Sequence, residues 1–235
     1  MIKEASIKLD RVIFGHFQNH SHKILAKEII GSCETLLDLG CGASSPIQEF
    51  AAALQYTVGV DYFKPSLKKS EGKKIHDEYR LMNVLEIDTE FEENSFDCVL
   101  AYDLIEHLSK EDGLKLISMM ERVARKKVIV YTPNGFLPQR AYDGNQYQIH
   151  LSGWEIEEMK AMSFRVIGIN GWKTLRGERA QIRWRPTFFW RRISFLTQII
   201  TTKYPRYAFQ ILCIKEMLDD RHSMDTAKTS HVAIA

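Results

Sequence analysis

The chain has 235 residues, of which 45% are hydrophobic and 26% charged, and its formal net charge is +2. This length and ordinary globular composition predict one domain with a full core, and the chain is short for two. No apolar run reaches the roughly 20 residues that span a bilayer, so we do not expect a membrane-spanning protein.

The N-terminal residues lack the apolar core of a signal peptide, which predicts a cytoplasmic protein. The cysteines lie far apart, with no paired spacing, at Cys33, Cys41, Cys98 and Cys213. A zinc site or a disulfide framework is therefore not expected, and reduced thiols fit this pattern better.

Apolar runs with strand character alternate with helical patterns from residue 20 onward. The predicted strands are Thr35–Leu39, Tyr56–Val60, Tyr79–Met82, Phe96–Ala101, Lys127–Tyr131, Phe164–Ile169 and Ala208–Ile214. The predicted helices are His20–Ile30, a helix from Pro46 through Leu54, Ser66–His76, Leu114–Ala124 and 153–162. This alternation predicts parallel βαβ units and a doubly wound α/β sheet.

The alternation is interrupted after Pro133 by a polar segment, residues 134–151, which we call the lid loop. A loop this long within one domain is more often functional than a plain connection. Ser152–Glu155 has the pattern of a capping box that would begin the next helix. The tail from Leu218 is polar and without periodicity, which predicts a flexible segment over 216–235.

The segment Leu37–Ser45 contains a glycine-rich turn between a predicted strand and a helix. Gly40 and Gly42 allow a sharp turn and a close approach to a ligand. Ser45 stands where a dinucleotide-binding loop would have its third glycine, and the carboxylate of Asp38 would repel a pyrophosphate. Asp38 instead suits a ligand with an ammonium group and a sulfonium. Asp61 follows the second strand, where an acid accepts hydrogen bonds from ribose hydroxyls.

Four stretches resemble motifs of the class I S-adenosylmethionine-dependent methyltransferases. They are Leu36–Ala43, Val58–Asp61, Glu92–Leu100 with Asp103–Leu108, and Val128–Asn134. The third is most similar to the small-molecule branch, which includes the O-methyltransferases of ubiquinone synthesis. The resemblance implies a Rossmann-like seven-stranded sheet in the order 3-2-1-4-5-7-6, with strand 7 antiparallel. It also implies one methyltransferase domain over residues 1–215, with N-terminal cap helices within 1–34.

The resemblance also implies a set of residues that bind S-adenosyl-L-methionine. The methionine moiety would contact Asp38, Gly40 and Gly42, and we interpret Cys41 as a small filler in the same loop. Asp61 would bind the ribose. The adenine would lie near Tyr62, Phe63, Asn83 and Val84, although Asn83 stands where the family usually has an acid. Tyr102 and Asp103 would flank the sulfonium.

Methyl transfer to a hydroxyl would benefit from a base, and the catalytic candidates are Asp103, His107 and His150. For His107 a hydrogen bond to a backbone carbonyl is the favoured interpretation, and for His150 a hydrogen bond that organises the loop is as good an interpretation as catalysis. Asp103, Glu106, His107 and His150 also parallel the ligand pattern of metal-dependent O-methyltransferases. Because the Glu-His pair also occurs in related enzymes without a metal, we predict no metal from the sequence.

Residues 171–207 form a basic, aromatic insertion between predicted strands six and seven. From Lys173 to Arg206 there are nine Lys or Arg residues and one acid, Glu178, so the local charge is +8. A helix that begins near Pro186 would place Phe189, Ile193, Leu196 and Ile200 on one stripe. The interpretations are peripheral contact with the inner face of the membrane, a phosphorylated substrate, nucleic acid, or a subdomain that packs its aromatics inward. Among the three functional interpretations, contact with a membrane or a lipid-linked substrate is preferred.

The function that the sequence favours is O-methylation of a small-molecule, glycan or lipid-linked acceptor by direct in-line methyl transfer. Methylation of the RNA ribose 2′-oxygen is the enzymatic alternative, and nucleic acid is the less favoured partner. A cofactor-binding protein that has lost catalysis is the third possibility, against which the intact set Asp38, Gly40, Gly42 and Asp61 argues. The sequence does not determine an oligomeric state.

Overall fold

The computed structural model describes residues 20–141 and 144–217. Its helices are α1 (His20–Ile29), α2 (Lys64–Lys73), α3 (Ile87–Glu90), α4 (Lys110–Val123), α5 (Ile156–Ala161) and α6 (Thr187–Lys203). Its strands are β1 (Thr35–Leu39), β2 (Tyr56–Asp61), β3 (Glu78–Leu81), β4 (Phe96–Tyr102), β5 (Ala124–Pro133), β6 (Arg165–Trp172) and β7 (Ala208–Glu216). Of the predicted segments, the cap helices before residue 20 and the tail after Met217 lie outside the described residues.

The seven strands form one sheet in the order β3-β2-β1-β4-β5-β7-β6. Strands β1 to β5 pair in parallel, and β7 is antiparallel to both of its neighbours. The predicted α/β class and strand order are therefore confirmed. The carboxyl ends of β1, β2 and β4 lie at one edge of the sheet, where ligands bind in open α/β folds.

Both faces of the sheet are buried, because buried residues occupy consecutive positions on the central strands and successive side chains point to opposite faces. In β4, Val99 belongs to the core on one side of the sheet and Leu100 to the core on the other. Helix α4 packs on the first side and α1 on the second, through residues such as Met120 and Ile29. These two layers hold the strand ends that carry the site.

Several predicted boundaries were wrong. The segment from Pro46 forms two short 3₁₀ turns, Pro46–Glu49 and Ala51–Ala53, and not an α-helix. Helix α5 begins after Glu155, whose side chain forms a capping box with Glu158. The predicted cap at Ser152 is not used as one, because its hydroxyl donates to the carbonyl of Ile105.

The lid loop is closed at its base. Asn134 forms a bridge with Trp154, and the amide of Gly135 donates to the Trp154 carbonyl over 2.9 Å. Trp154 itself is fully buried. The loop therefore leaves the domain and returns to it at nearly the same point.

The insertion begins later than predicted, at Lys173, because β6 continues to Trp172. It consists of the turns Lys173–Leu175 and Glu178–Ala180, helix α6, and the turn Pro205–Tyr207. Among residues 20–141 and 144–217, no helix is both long and apolar enough to cross a membrane.

Candidate active site

The glycine-rich turn follows β1 directly. Gly40 and Gly42 have φ values of +65° and +59°, a region that glycine adopts without strain. A Cβ atom on Gly40 would lie 2.7 Å from Leu104 Cδ1, whereas the space beside Gly42 holds only the Gly40 carbonyl oxygen, at 3.9 Å. Gly40 is thus required by packing, and Gly42 leaves the turn open toward a ligand.

Asp38 lies under this turn and is paired with His76, a residue that was not predicted from the sequence. The Asp38 Oδ2 atom is 2.9 Å from His76 Nε2, and both side chains are buried. A signal for this pair exists in the neighbouring strand, because a Cβ atom on Gly59 would lie 2.8 Å from His76 Nδ1. Gly59 therefore makes room for the imidazole that orients Asp38.

Asp61 connects the glycine-rich turn to the segment after β2. Its Oδ2 accepts from the Gly42 amide over 2.8 Å, and its Oδ1 accepts from the Phe63 amide over 2.7 Å. Burial raises the pKa of Asp61 above its ordinary value, and the charge of Asp38 acts in the same direction. Since a carboxylate offers about four acceptor positions, both oxygens remain able to accept from ribose hydroxyls.

The residues expected near adenine have different roles in the structure. The Asn83 Oδ1 atom accepts from the Leu85 amide and so caps the turn Val84–Glu86, and Val84 is part of the core. Tyr62 is exposed, and its ring lies edge-on to Tyr147 of the lid loop, with centroids 5.2 Å apart. The thiol of Cys41 is buried, and burial raises its pKa, so it is not a nucleophile.

A cavity of about 650 Å³ joins the glycine-rich turn to the predicted catalytic residues. Asp38, Gly40 and Gly42 line one part of it. Asp103, Glu106, His107 and His150 line another part. Asp61, Tyr62, Phe63, Asn83 and Val84 lie outside this cavity. The structure therefore places the glycine-rich turn, where the cofactor is predicted to bind, in the same cavity as the predicted catalytic bases.

Asp103 and Glu106 form a carboxyl pair at the end of β4. Asp103 has a φ of +49°, an uncommon conformation for a non-glycine residue that recurs at active sites. It is exposed to the cavity, and desolvation by the protein around it raises its pKa to about 7. Glu106 is buried, and desolvation followed by the charge of Asp103 raises its pKa well above the ordinary value.

The Glu106 side chain also accepts from the Thr132 hydroxyl over 3.0 Å. From the sequence, Glu106 was predicted only as a possible metal ligand. Its pairing with Asp103 adds a second role, because the two carboxyl groups titrate as one pair in which desolvation favours a bound proton. Asp103 is the exposed member of the pair and therefore the one that a substrate can reach.

His107 and His150 both line the cavity, and their rings are in edge-on contact with centroids 4.8 Å apart. Each Nδ1 is bonded to a backbone carbonyl, at 3.2 Å from Ile149 and 2.7 Å from Leu137 respectively. Desolvation lowers the pKa of His107 to about 4 and also lowers the pKa of His150. Because each carbonyl accepts the Nδ1 proton, the Nε2 atoms of both neutral rings carry a lone pair.

Both histidines therefore make a hydrogen bond to the backbone, and each still has its Nε2 atom available to bind a proton or a metal ion. The ligand atoms of Glu106, His107 and His150 lie within 4.8 Å of one another. A carboxylate and two imidazoles whose other nitrogens are fixed by carbonyls form a donor set that suits a divalent metal ion.

A hydrogen-bond network holds Asp103 from the side of β5, β6 and β7. The Gln210 amide Nε2 donates to Asp103 Oδ1 over 2.9 Å, while Gln210 Oε1 accepts from Tyr131 and Asn170. The ring of Tyr102 stacks on that of Tyr131 at 4.0 Å. Of these residues, only Tyr102 and Asp103 were predicted, because the others are distant in sequence.

The lid loop and the insertion complete the cavity. The amides of Leu151 and Ser152 both donate to the Glu106 carbonyl, which joins the end of the lid loop to the acidic pair. The insertion contributes Arg179 and Ala180 to the cavity wall. Tyr142, within the lid loop, lies outside the described residues.

Residues 37–132 match the family model described as "Methyltransferase domain". No curated protein matches the chain in sequence. Several solved structures are similar in fold. A SAM-dependent methyltransferase from Archaeoglobus fulgidus is 17% identical with a TM-score of 0.54, and the alignment covers 87% of this chain and 98% of that one.

The YcgJ protein from Bacillus subtilis is 15% identical with a TM-score of 0.54, over 85% of this chain and 98% of that one. Phosphoethanolamine N-methyltransferase 2 from Haemonchus contortus, in complex with S-adenosyl-L-methionine, is 16% identical with a TM-score of 0.54. That alignment covers 86% of this chain and 53% of the other. Residues 37–132 thus match a methyltransferase family model, and the chain shares its fold with S-adenosylmethionine-dependent methyltransferases of known structure.

Proposed function

We propose that the protein transfers the methyl group of S-adenosylmethionine to an oxygen atom of a small-molecule, glycan or lipid-linked acceptor. The methyltransferase domain supports the methyl transfer itself. The observation that supports an oxygen acceptor is the position of Asp103, Glu106, His107 and His150 in the same cavity as the glycine-rich turn.

The sulfonium is a good leaving group, so the protein mainly aligns the acceptor with the methyl group and excludes water. The acceptor oxygen attacks the methyl carbon as the carbon–sulfur bond breaks, which leaves a neutral thioether. The acceptor proton passes to Asp103 or to the Nε2 atom of a neutral histidine. A hydroxyl acceptor needs this proton transfer more than an amine does, because a neutral amine is already a nucleophile.

Metal-assisted O-methylation is a second candidate, and the cluster of Glu106, His107 and His150 favours it. A divalent ion held by these three residues would acidify a bound hydroxyl. Within the described residues, the donor set fits such an ion. Methyl transfer without a metal therefore stays a prediction, which removal of divalent ions can test.

The proposal is tested with labelled S-adenosylmethionine and fractionated cell extract, by asking whether label enters lipid, polysaccharide, RNA or small metabolites. Asp103→Asn should abolish most of the transfer while calorimetry shows that S-adenosylhomocysteine still binds. Label in a base-stable ether or in a base-labile ester would support an oxygen acceptor. Label on nitrogen or carbon would refute it. Label in RNA ribose would replace the proposed acceptor by the RNA alternative.

A further inference from the structure

Helix α6 turns its polar residues toward the protein. Ser194, Gln198 and Thr201 are buried, and they lie on one face of the helix, which packs on β6. The Gln198 side chain accepts from the Gly171 amide and donates to the Gly168 carbonyl, both over 2.9 Å. The inner face of α6 is therefore attached by hydrogen bonds and not by apolar packing.

Two glycines of β6 make this close attachment possible. A Cβ atom on Gly168 would lie 2.0 Å from the Thr201 carbonyl oxygen, and one on Gly171 would lie 2.0 Å from the Ser194 carbonyl oxygen. The helix backbone thus lies directly on the strand, and any rotation of α6 about its axis would break these contacts. The direction of the opposite face is fixed by the fold.

That opposite face is apolar. Its large side chains and their exposed fractions are Phe188 (59%), Phe189 (47%), Leu196 (52%), Ile199 (61%) and Ile200 (58%). A helix on a protein surface normally exposes polar residues and buries apolar ones, so α6 is amphipathic in the reverse sense. Several large apolar side chains exposed on one helix face indicate an interaction site. We call these five residues the α6 apolar face.

Basic residues surround and interrupt this face. Arg192 and Lys203 lie on the same side of the helix by their spacing, and the Arg192 guanidinium is 5.9 Å from the Phe188 ring centroid. The rings of Trp184 and Trp190 have centroids 5.5 Å apart, and Trp190 also contacts Phe189 of the apolar face at 5.3 Å. The whole insertion has nine basic residues and one acid. Tryptophan, arginine and aliphatic side chains in one surface are typical of a helix that lies in a membrane interface.

We propose that the α6 apolar face binds the surface of an anionic lipid bilayer, with α6 parallel to the membrane plane. The aliphatic and aromatic side chains would enter the headgroup layer, and the arginines and lysines would contact lipid phosphates. None of the five residues of the α6 apolar face lines the cavity. Only Arg179 and Ala180, in another part of the same insertion, do so. The proposal does not depend on the identity of the acceptor.

Two other occupants of this face are less favoured by its chemistry. A second copy of the chain would bring identical basic residues together across a two-fold axis, and like charges repel. RNA would satisfy the arginines, but Leu196, Ile199 and Ile200 offer nothing to phosphates and are not aromatic platforms for bases. An anionic bilayer satisfies both the charge and the aliphatic residues.

Vesicle sedimentation with the full chain tests the proposal. We expect binding to vesicles of phosphatidylcholine with phosphatidylglycerol and much weaker binding to phosphatidylcholine alone. Arg192→Glu/Lys203→Glu should reduce binding at low salt by at least tenfold, since each basic residue contributes roughly fivefold near an anionic surface. Leu196→Ser/Ile199→Ser should reduce the fraction of binding that persists in high salt, because apolar insertion is not screened.

Matched controls are available elsewhere on the surface. Leu81→Ser/Leu114→Ser removes two exposed leucines, and Lys68→Glu/Lys69→Glu reverses two exposed lysines of α2. Neither control should change binding, and circular dichroism should show that all four variants are folded. The proposal is overturned if the wild-type protein does not bind anionic vesicles at low salt. A second outcome would also overturn the proposal. In it, the protein dimerises with rising concentration or binds RNA, and the Leu196→Ser/Ile199→Ser variant loses that association but still binds vesicles as the wild type does.

Discussion

The side-chain amide of Gln210 donates from Nε2 to the Oδ1 atom of Asp103 over 2.9 Å. The orientation of this amide is fixed, because its Oε1 faces two donors, the hydroxyl of Tyr131 and the Nδ2 of Asn170. Strand β7 thus supplies a hydrogen bond to a carboxylate at the end of β4, 107 positions earlier in the chain. Gln210 is a positioning residue for Asp103.

Replacement of Gln210 by Met should leave the Tyr131 hydroxyl, the Asn170 amide and Asp103 each without one partner. We expect the free energy of unfolding to fall by about 1–3 kcal/mol, the cost of unsatisfied buried polar groups. Once an acceptor is identified, kcat should fall while KM for S-adenosylmethionine changes little, because the cofactor loop is elsewhere. Chemical denaturation and steady-state kinetics measure the two effects. An equal loss in kcat for Gln198→Met, which lies in α6, would show that the effect is only structural.

Asp61 is predicted to contribute to cofactor affinity in two ways. It can accept from the ribose hydroxyls, and it holds the Gly42 and Phe63 amides in place. Asp61→Ala should weaken binding of S-adenosylhomocysteine by roughly 1.5–3 kcal/mol, which is ten- to a hundredfold. The affinity of Asp61→Asn for S-adenosylhomocysteine should lie between those of the wild type and Asp61→Ala, because the amide keeps one acceptor oxygen. Calorimetry that gives wild-type affinity for a folded Asp61→Ala protein would contradict the ribose assignment.

The contact between Tyr62 and Tyr147 predicts that the cofactor orders the lid loop. Tyr62 directly follows β2, and Tyr147 lies in the turn Gln146–Gln148. Trypsin should cleave after the exposed Arg140 more slowly when S-adenosylhomocysteine is bound. Tyr147→Ala should reduce this protection. Tyr56→Ala, which changes an exposed tyrosine at the opposite end of β2, should not. Cleavage that is equally fast with and without ligand would argue against a lid.

Removal of divalent ions tests the prediction of no metal. We expect methyl transfer to survive treatment with a chelator, because Asp103 and two neutral histidines can accept the acceptor proton without an ion. The alternative makes the opposite prediction. Two observations together would establish the metal-assisted reaction. Activity would be lost with a chelator and restored by Mg²⁺ or Mn²⁺, and the protein would bind Mn²⁺ in a way that His107→Ala and His150→Ala each abolish.

Gly168→Ala should destabilise the domain, because the new methyl group would meet the Thr201 carbonyl at 2.0 Å and push α6 away from β6. Overpacking of this kind costs about 1–3 kcal/mol or more. Gly72→Ala is the matched control. Its position in α2 has no heavy atom within 4 Å, so the change should be neutral or stabilising by about 0.5–1 kcal/mol. Thermal unfolding of both variants distinguishes close packing from a general effect of glycine replacement.

The sheet was predictable because every strand except β3 carries its own apolar run, and the strand order followed from the resemblance to a family. The helix predicted from Pro46 does not form. The alanine-rich segment Ala51–Ala53 has helical propensity, but it forms only a short turn between β1 and β2. The false cap at Ser152 has a similar cause. Its hydroxyl has a tertiary partner, the Ile105 carbonyl, that local sequence does not reveal.

The candidate site was predicted where its residues follow strands β1, β2 and β4. His76, Asn170 and Gln210 were missed because each acts across a strand pair, far along the chain from its partner. The direction of α6 was also open from sequence. The predicted stripe contained Phe189, Leu196 and Ile200, but only the contacts at Gly168 and Gly171 decide that this stripe faces outward.

The closed base of the lid loop bears on how acceptor preference can diverge among relatives of this chain. Asn134 and Trp154 join the two ends of the loop, so a change in its length adds little closure entropy and does not disturb the sheet. The segment 136–148 can therefore lengthen, shorten or change sequence while the glycine-rich turn and Asp103 keep their places. Selection for a new acceptor can act on this segment without loss of the methyl-donor site.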